Sequence, residues 1–187
     1  LSDIFSVDGV RYYALAEMPY NSDGTVTYEN IILRYNNDLA NNLGNLVSRT
    51  HAMTKKYFGG VIPAPGAAEP IDDGLRAAVR RAADESRRLT EDFHIADALD
   101  EIFSCLRRAN KYIDETTPWI LAKSEESLPR LATVIYNLLE VIRSAAVMLT
   151  PFLPATAESI FSQLGTERRD YASLSTFGAL EPARPLG

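Results

Sequence analysis

A single cysteine, Cys105, two histidines and one tryptophan are all that this 187-residue chain holds of three residue types that often carry chemistry. One cysteine rules out an internal disulfide and fits a reducing compartment. It lies between Ile102 and Leu106 in an apolar helical pattern, where a small buried hydrophobe is expected rather than a nucleophile. Of the histidines, His94 stands in Glu91-Asp92-Phe93-His94, the E-x-x-H spacing of helix-bundle di-metal sites; those need two such pairs, and the second is missing. No phosphate-cradling G-x-x-x-x-G-K-[ST] or G-x-G-x-x-G run and no G-x-S-x-G elbow occurs, so no catalytic residue and no metal ligand is assigned. Basic residues are not in excess either. The net charge is −6 and no segment forms a basic stripe, so DNA is not an expected partner. Any nucleic-acid role must rest on a few placed residues, with phosphate contacts supplied elsewhere in a larger protein. No apolar run reads as long enough to cross a membrane and no signal peptide opens the chain, so no membrane partner is expected and the location expected is the cytoplasm. Leu1-Ser2-Asp3-Ile4-Phe5, with no initiator Met, reads as a cut through a longer protein.

What is present is helical periodicity. Hydrophobic residues make up 46% of the chain, enough to bury a core, and no alternating period-2 segment survives inspection. Residues 1–18 read as a short helix with Ile4, Val7, Val10, Tyr13 and Leu15 as contacts. Met18-Pro19-Tyr20 ends it, and Asn21-Ser22-Asp23-Gly24 is a turn cluster. Thr27 caps a long helix from Tyr28 to about Phe58, on which Tyr28, Ile32, Tyr35, Leu39, Leu43, Leu46 and Thr50 form one stripe. Gly59-Gly60 stops it. Val61 to Glu69, with Pro63, Pro65 and Gly66, reads as a linker. Asp72 or Asp73 can cap a third helix that buries Leu75, Val79 and Leu89, with Arg76, Arg80, Arg87 and Arg88 on its solvated face. A fourth helix takes in Ile95, Ala98, Leu99, Ile102, Phe103, Leu106, Tyr112 and Ile113. A fifth runs from about Glu126 to Leu149 through Leu128, Leu131, Ile135 and Leu138, and a short sixth carries Ile160, Phe161 and Leu164 before Gly165. The fold class expected is all-α, an antiparallel helix bundle, with an irregular tail from Thr166 packed over it.

Two places on this scaffold hold residues suited to nucleic acid. Asn45 and Arg49 are four apart, so an amide and a guanidinium share one face at the rim of a buried helix. Multi-donor groups on a rigid support suit the edges of bases; plain solvated polar residues are the competing reading. The second place is the corner Thr116-Thr117-Pro118-Trp119. An indole there either anchors a turn from inside or stands open for an unstacked base.

The stretch Asn36 to Arg49 resembles the C-terminal half of bacterial-type methionyl-tRNA synthetases. So do Asn110-Lys111-Tyr112-Ile113-Asp114-Glu115-Thr116-Thr117-Pro118-Trp119, Leu121-Ala122-Lys123, Val7-Asp8-Gly9-Val10-Arg11-Tyr12-Tyr13, Ser22-Asp23-Gly24 and Met148-Leu149-Thr150-Pro151-Phe152-Leu153-Pro154. The resemblance runs in order over nearly all of residues 1–165. It implies three regions: residues 1–25 as the end of a segment joining a Rossmann catalytic domain, 26–165 as the anticodon-binding domain, and 166–187 as a tail. It implies that Asn45 and Arg49 hydrogen-bond anticodon bases and that Trp119 stacks on the first base of CAU, with Asn41, Asn42, Asn110 and Pro118 shaping the surface. The implied partners are the anticodon loop of tRNA-Met and the protein's own catalytic domain. ATP and Mg would be bound there, since the family's His-Ile-Gly-His-type and Lys-Met-Ser-Lys-Ser motifs are absent here. This stretch alone is therefore expected to be inactive. The bundle of another class I synthetase, or a helical protein-interaction module anchored by Trp119, are the alternatives.

Overall fold

The computed structural model describes residues 2–17 and 26–187; the expected helix stop at Met18-Pro19-Tyr20 and the turn at Asn21-Ser22-Asp23-Gly24 lie outside the described residues. The described chain is an all-helical bundle, its only β pairing an isolated bridge between Val61 and Pro185. Helix α1 is Ser2–Glu17, α2 Tyr28–Arg34, α3 Asn45–Phe58, α4 Pro70–Glu91, α5 Ile95–Thr116, α6 Pro118–Leu121, α7 Leu128–Leu149 and α8 Pro154–Leu164. Between α2 and α3 the helix continues without a break as a π-helical segment, Tyr35–Gly44.

The breaks follow local chemistry. Thr27 caps α2, its hydroxyl accepting from the Asn30 N–H at 3.1 Å. Gly59 and Gly60 end α3 at φ 62° and 79°, a conformation that costs glycine nothing. Gly165 closes α8 at φ 60°. Helix α1 is interrupted at Ser6 (φ 63°, ψ 163°), whose hydroxyl accepts from the Gly9 N–H at 3.2 Å. That interruption resets the helical phase. Tyr13 is buried as expected, but Ile4 and Val7, expected as core contacts, are exposed, and Phe5 and Tyr12 are buried instead. Asp8 then reaches the start of α8, where its carboxylate accepts from the Thr156 N–H at 2.6 Å, and Arg11 donates to the Phe152 carbonyl at 2.9 Å.

A second phase change corrects the long-helix stripe. Leu43, Leu46 and Thr50 are buried as expected, but Tyr28 and Ile32 are exposed and Ile31 is buried in their place. The cause is the π-helical segment, whose wider i→i+5 turns insert a residue into the α-helical count. Tyr12 ties the segment to α1 by donating to Asp38 at 2.8 Å; burial, then this bond, raises the phenol's pKa well above its ordinary value.

The start of α4 also differs from expectation. The helix begins at Pro70, and Asp72 is its third residue, accepting from the Glu69 N–H at 2.9 Å. Asp72 is fully buried and receives both guanidinium ends of Arg130, at 2.7 and 2.8 Å, and the Tyr112 hydroxyl at 2.6 Å. Burial alone would raise its pKa, but the Arg130, Tyr112 and Glu69 donors outweigh burial and hold it below the usual carboxylate range.

Helix α7 is the axis of the bundle, buried on every side from Arg130 to Leu149. Leu128, expected inside, is exposed two residues earlier, next to a 3-10 turn at Glu125–Ser127. The expectation that no stretch is apolar and long enough to span a membrane also needs correction. Glu125–Leu149 is so by length and composition, but its most apolar window lies wholly inside the protein. Several of its polar residues find partners in two segments outside the long helices. The Val61–Glu69 linker is a strap across α7, with Gly66 N–H donating to the Thr133 hydroxyl at 2.9 Å and Ala67 N–H to the Pro129 carbonyl at 3.1 Å. The tail lies across another face. The fully buried Glu140 and Arg143 pair at 2.6 Å; Glu140 also accepts from the Ala179 and Leu180 N–H groups, and Arg143 donates to Ser173 and to the Arg168 carbonyl. Strap and tail meet where Ile62 exchanges two backbone hydrogen bonds with Ala183 and Arg184, both at 2.9 Å. The tail, which includes a 3-10 turn at Tyr171–Ser175, thus packs over the bundle. Cys105 is buried, and burial pushes its thiol up to about 12.

Candidate nucleic-acid interface

Asn45 opens α3 and is exposed, and Arg49, one turn later, is half-buried. The Arg49 guanidinium lies 3.4 Å from the carboxylate of Asp114 in the last turn of α5. This pair joins the face of α3 that carries Asn45 to the end of the helix that leads into the tryptophan corner. Asp114 is largely exposed, so the contact orients Arg49 without sealing it off from a ligand.

The corner itself is rigid. Helix α5 ends with Thr117 in a left-handed conformation (φ 43°, ψ 60°), uncommon for a β-branched residue and costing roughly 1–3 kcal/mol. The Thr117 N–H still donates to the Ile113 carbonyl at 3.0 Å, and its own carbonyl accepts from Ile120 at 2.8 Å. Pro118, buried, starts α6 with its ring fixed in helical φ. Trp119 follows and is 43% exposed. The indole is not an interior anchor. It stands partly in solvent on a corner that cannot easily turn.

The three asparagines separate into two kinds. Asn41 is exposed, with no side-chain partner among the described residues. Asn42 is buried, donating to the Phe103 carbonyl of α5 at 3.3 Å. Asn110 answers from α5, its Nδ2 within 3.2 Å of the Asn42 carbonyl, 3.0 Å of the Asn42 Oδ1 and 3.2 Å of the Leu106 carbonyl. Asn42 and Asn110 therefore bind each other and shape the surface from beneath. Sequence reasoning did not find Asp114 as the partner of Arg49; the two are 65 positions apart and only the packing of α3 beside α5 joins them.

An open groove of about 1060 Å³ runs along the other flank of α3, between Tyr35, Leu39, Val47, His51, Lys55 and Ile160. Among the described residues no group of three or more His, Cys, Asp or Glu could hold a metal, so no Mg site is placed on them.

Residues 62–182 match the family described as the anticodon binding domain of methionyl tRNA ligase. The chain belongs to that family. Residues 1–51 match a second family, class I tRNA synthetases (M). The methionine–tRNA ligase of Clostridium perfringens is 50% identical over 177 residues, covering 95% of this chain but 27% of that protein. Methionine–tRNA ligase 1 of Bacillus cereus is 42% identical over 184 residues, covering 96% of this chain and 28% of the relative. The chain thus spans little more than a quarter of the length of these relatives. Among solved structures, the apo form of Mycobacterium tuberculosis methionyl-tRNA synthetase superposes with a TM-score of 0.93 at 35% identity, over 100% of this chain and 38% of that one. The same enzyme bound to methionyl-adenylate gives the same score over 99% and 37%. The anticodon-binding bundle expected from the sequence is the fold this family has.

Proposed function

We propose that this chain is the anticodon-binding portion of a methionine–tRNA ligase and that it recognises the CAU anticodon of tRNA-Met. Asn45 and Arg49 hydrogen-bond anticodon bases, Trp119 stacks on the first of them, and Asn41 lines the same surface, with Asn42, Asn110 and Pro118 supporting it. The observation that carries this reading is the half-exposed indole of Trp119 on its fixed corner, joined through Asp114 to Arg49 on a second helix. Aromatic stacking and forked donors on rigid elements are what single-stranded loop recognition requires. In this reading residues 1–25 end the segment leading from a Rossmann catalytic domain, 26–165 are the binding bundle and 166–187 the tail. The catalytic domain activates methionine with ATP and Mg in the cytoplasm, and the part described here chooses the tRNA.

The test uses the full-length ligase. Stacking on an indole is worth roughly 1–3 kcal/mol per base. Trp119→Ala should therefore lower kcat/KM for aminoacylation about 10–100-fold, while methionine-dependent pyrophosphate exchange stays within about twofold, an interaction remote from the chemistry being lost. Equal loss of both reactions, with a lowered melting temperature, would mean that Trp119 serves the fold instead.

A further inference from the structure

Two buried residues show that the helix joining α2 to α3 contains one residue too many for α-helical geometry. Leu43 is held in the main core, and Ile31 is held against Phe5 and Tyr13 in a second, smaller one. At about 100° per residue, a straight α-helix that buries Leu43 brings Ile32 to within about 20° of it and turns Ile31 about 120° away. Here Ile31 is inside and Ile32 outside. Both ends are pinned, so the surplus must be absorbed between them, and Tyr35–Gly44 does so as a π-helix. The last wide turn ends on Asn45, whose N–H donates to the Ala40 carbonyl five residues back. Asn45, and Arg49 one α-turn beyond it, take their direction from that turn.

The register is locked from α5. The Asn110 Nδ2 faces three oxygens, two on Asn42 and one on Leu106, and the Asn42 Nδ2 reaches the Phe103 carbonyl. Turned over, the Asn110 amide would set an oxygen against those same three oxygens, so only one orientation is available. A slip by one residue would rotate Asn42 and the fully packed Leu43 by about 100° and break the clip and the core together. In the register observed, Arg49 meets Asp114 at 3.4 Å. With the π turns relaxed to α it would point about 100° elsewhere.

We propose that the π-helical segment Tyr35–Gly44, clipped by Asn42 and Asn110, aims Asn45 and Arg49 at the anticodon. Asn42 and Asn110 are then positioning residues for base reading. This rests on the assignment of Arg49 as a base reader, and the experiment separates the two. In the full-length ligase, Asn110→Ala, Arg49→Gln and the double variant are assayed for charging of tRNA-Met carrying CAU and of transcripts with single anticodon changes. A misaimed fork forfeits a bidentate base contact, so Asn110→Ala should raise KM for the CAU transcript about tenfold and narrow its lead over the altered anticodons. In that background Arg49→Gln should cost little more, the two acting as one unit. Equal losses on every anticodon, or an undiminished Arg49→Gln penalty in the Asn110→Ala background, would overturn the positioning role while leaving Arg49 a reader. If Arg49→Gln alone leaves discrimination intact, the reader assignment falls and the proposal with it. A measurement on the unaltered ligase is independent of how Asn110→Ala folds. Amides of residues 35–44 should exchange as slowly as those of α3 before tRNA is added. Fast exchange that slows only with tRNA would mean that the RNA, and not the clip, sets the register.

Discussion

Replacing Asp72 by Asn should cost this bundle about 3–5 kcal/mol at neutral pH, the usual penalty for leaving one member of a buried ion pair without its counter-charge. The structure says why the penalty should be near full size. Asp72 is wholly inside, and the Arg130 side chain is 7% exposed, so water cannot compensate. The carboxylate accepts from two guanidinium nitrogens, the Tyr112 hydroxyl and the Glu69 N–H. An amide can accept on its oxygen but turns its NH2 toward donors. Glu69 also lies 3.3 Å from Arg130, but it is mostly exposed and screens poorly. For a chain of this length the loss corresponds to a melting temperature lower by roughly 6–20 °C. The assay is urea unfolding of parent and variant from pH 7 down to pH 3. Because Asp72 has a lowered pKa in the folded state, its stabilisation is complete above the unfolded value near 4 and is lost as pH falls toward the folded one. The gap between parent and variant should therefore close in acid. The double change Asp72→Leu with Arg130→Met should recover most of the loss, since apolar replacement of both partners is often neutral. A gap under about 1 kcal/mol at pH 7, or one independent of pH, would refute the reasoning.

Other expectations follow from single sites. A Cβ on Gly66 would lie 2.8 Å from both the Cβ and the carbonyl of Pro129, so Gly66→Ala should force the strap off α7 and cost about 1–3 kcal/mol in thermal or urea unfolding. Arg107 is exposed on the face of α5 that carries Lys111 and Asp114, with no ion-pair partner among the described residues. In the full-length ligase Arg107→Ala should weaken tRNA binding equally for all anticodons and lower the salt-dependence slope by about 1 in a titration across ionic strength. Cys105, buried and with its thiol pushed up to about 12, should resist a disulfide reagent at pH 8 until urea opens the core.

The outlines of the fold were legible because its breaks are local. Thr27, Gly59-Gly60, Thr117-Pro118 and Gly165 each act through their own backbone or side chain, and α5 shows its buried face at plain helical spacing. What sequence could not show is phase and cover. Ser6 and the π segment each shift a stripe, so Ile4, Val7, Tyr28 and Ile32 were misplaced by sequence reasoning while their neighbours Phe5 and Ile31 carry the packing. On α7, Thr133, Asn137, Glu140 and Ser144 repeat at intervals of three and four, like the wet side of an amphipathic helix. They are inside because other segments, distant in sequence, bring partners: the strap to Thr133, Tyr112 to Asn137 and the tail to Glu140. The site was legible as residue types, an amide, a guanidinium and an indole. Its supports, Asp114 under Arg49 and Phe103 beside Asn42, required three dimensions.

The order of synthesis gives the tail a further part. A ribosome delivers α7 after the α4–α5 hairpin, so one side of the axis finds its neighbours already made. Glu140 and Arg143 have no such luck: apart from each other and the adjacent Ser144, their hydrogen-bond partners lie between Arg168 and Leu180, which emerge a few seconds later. Until then two charges sit on a surface that must shortly go dry. Residues 168–180 thereby decide when this domain can close, and a chain ended before Arg168 would leave this acid and base with no hydrogen-bond partners beyond each other and Ser144.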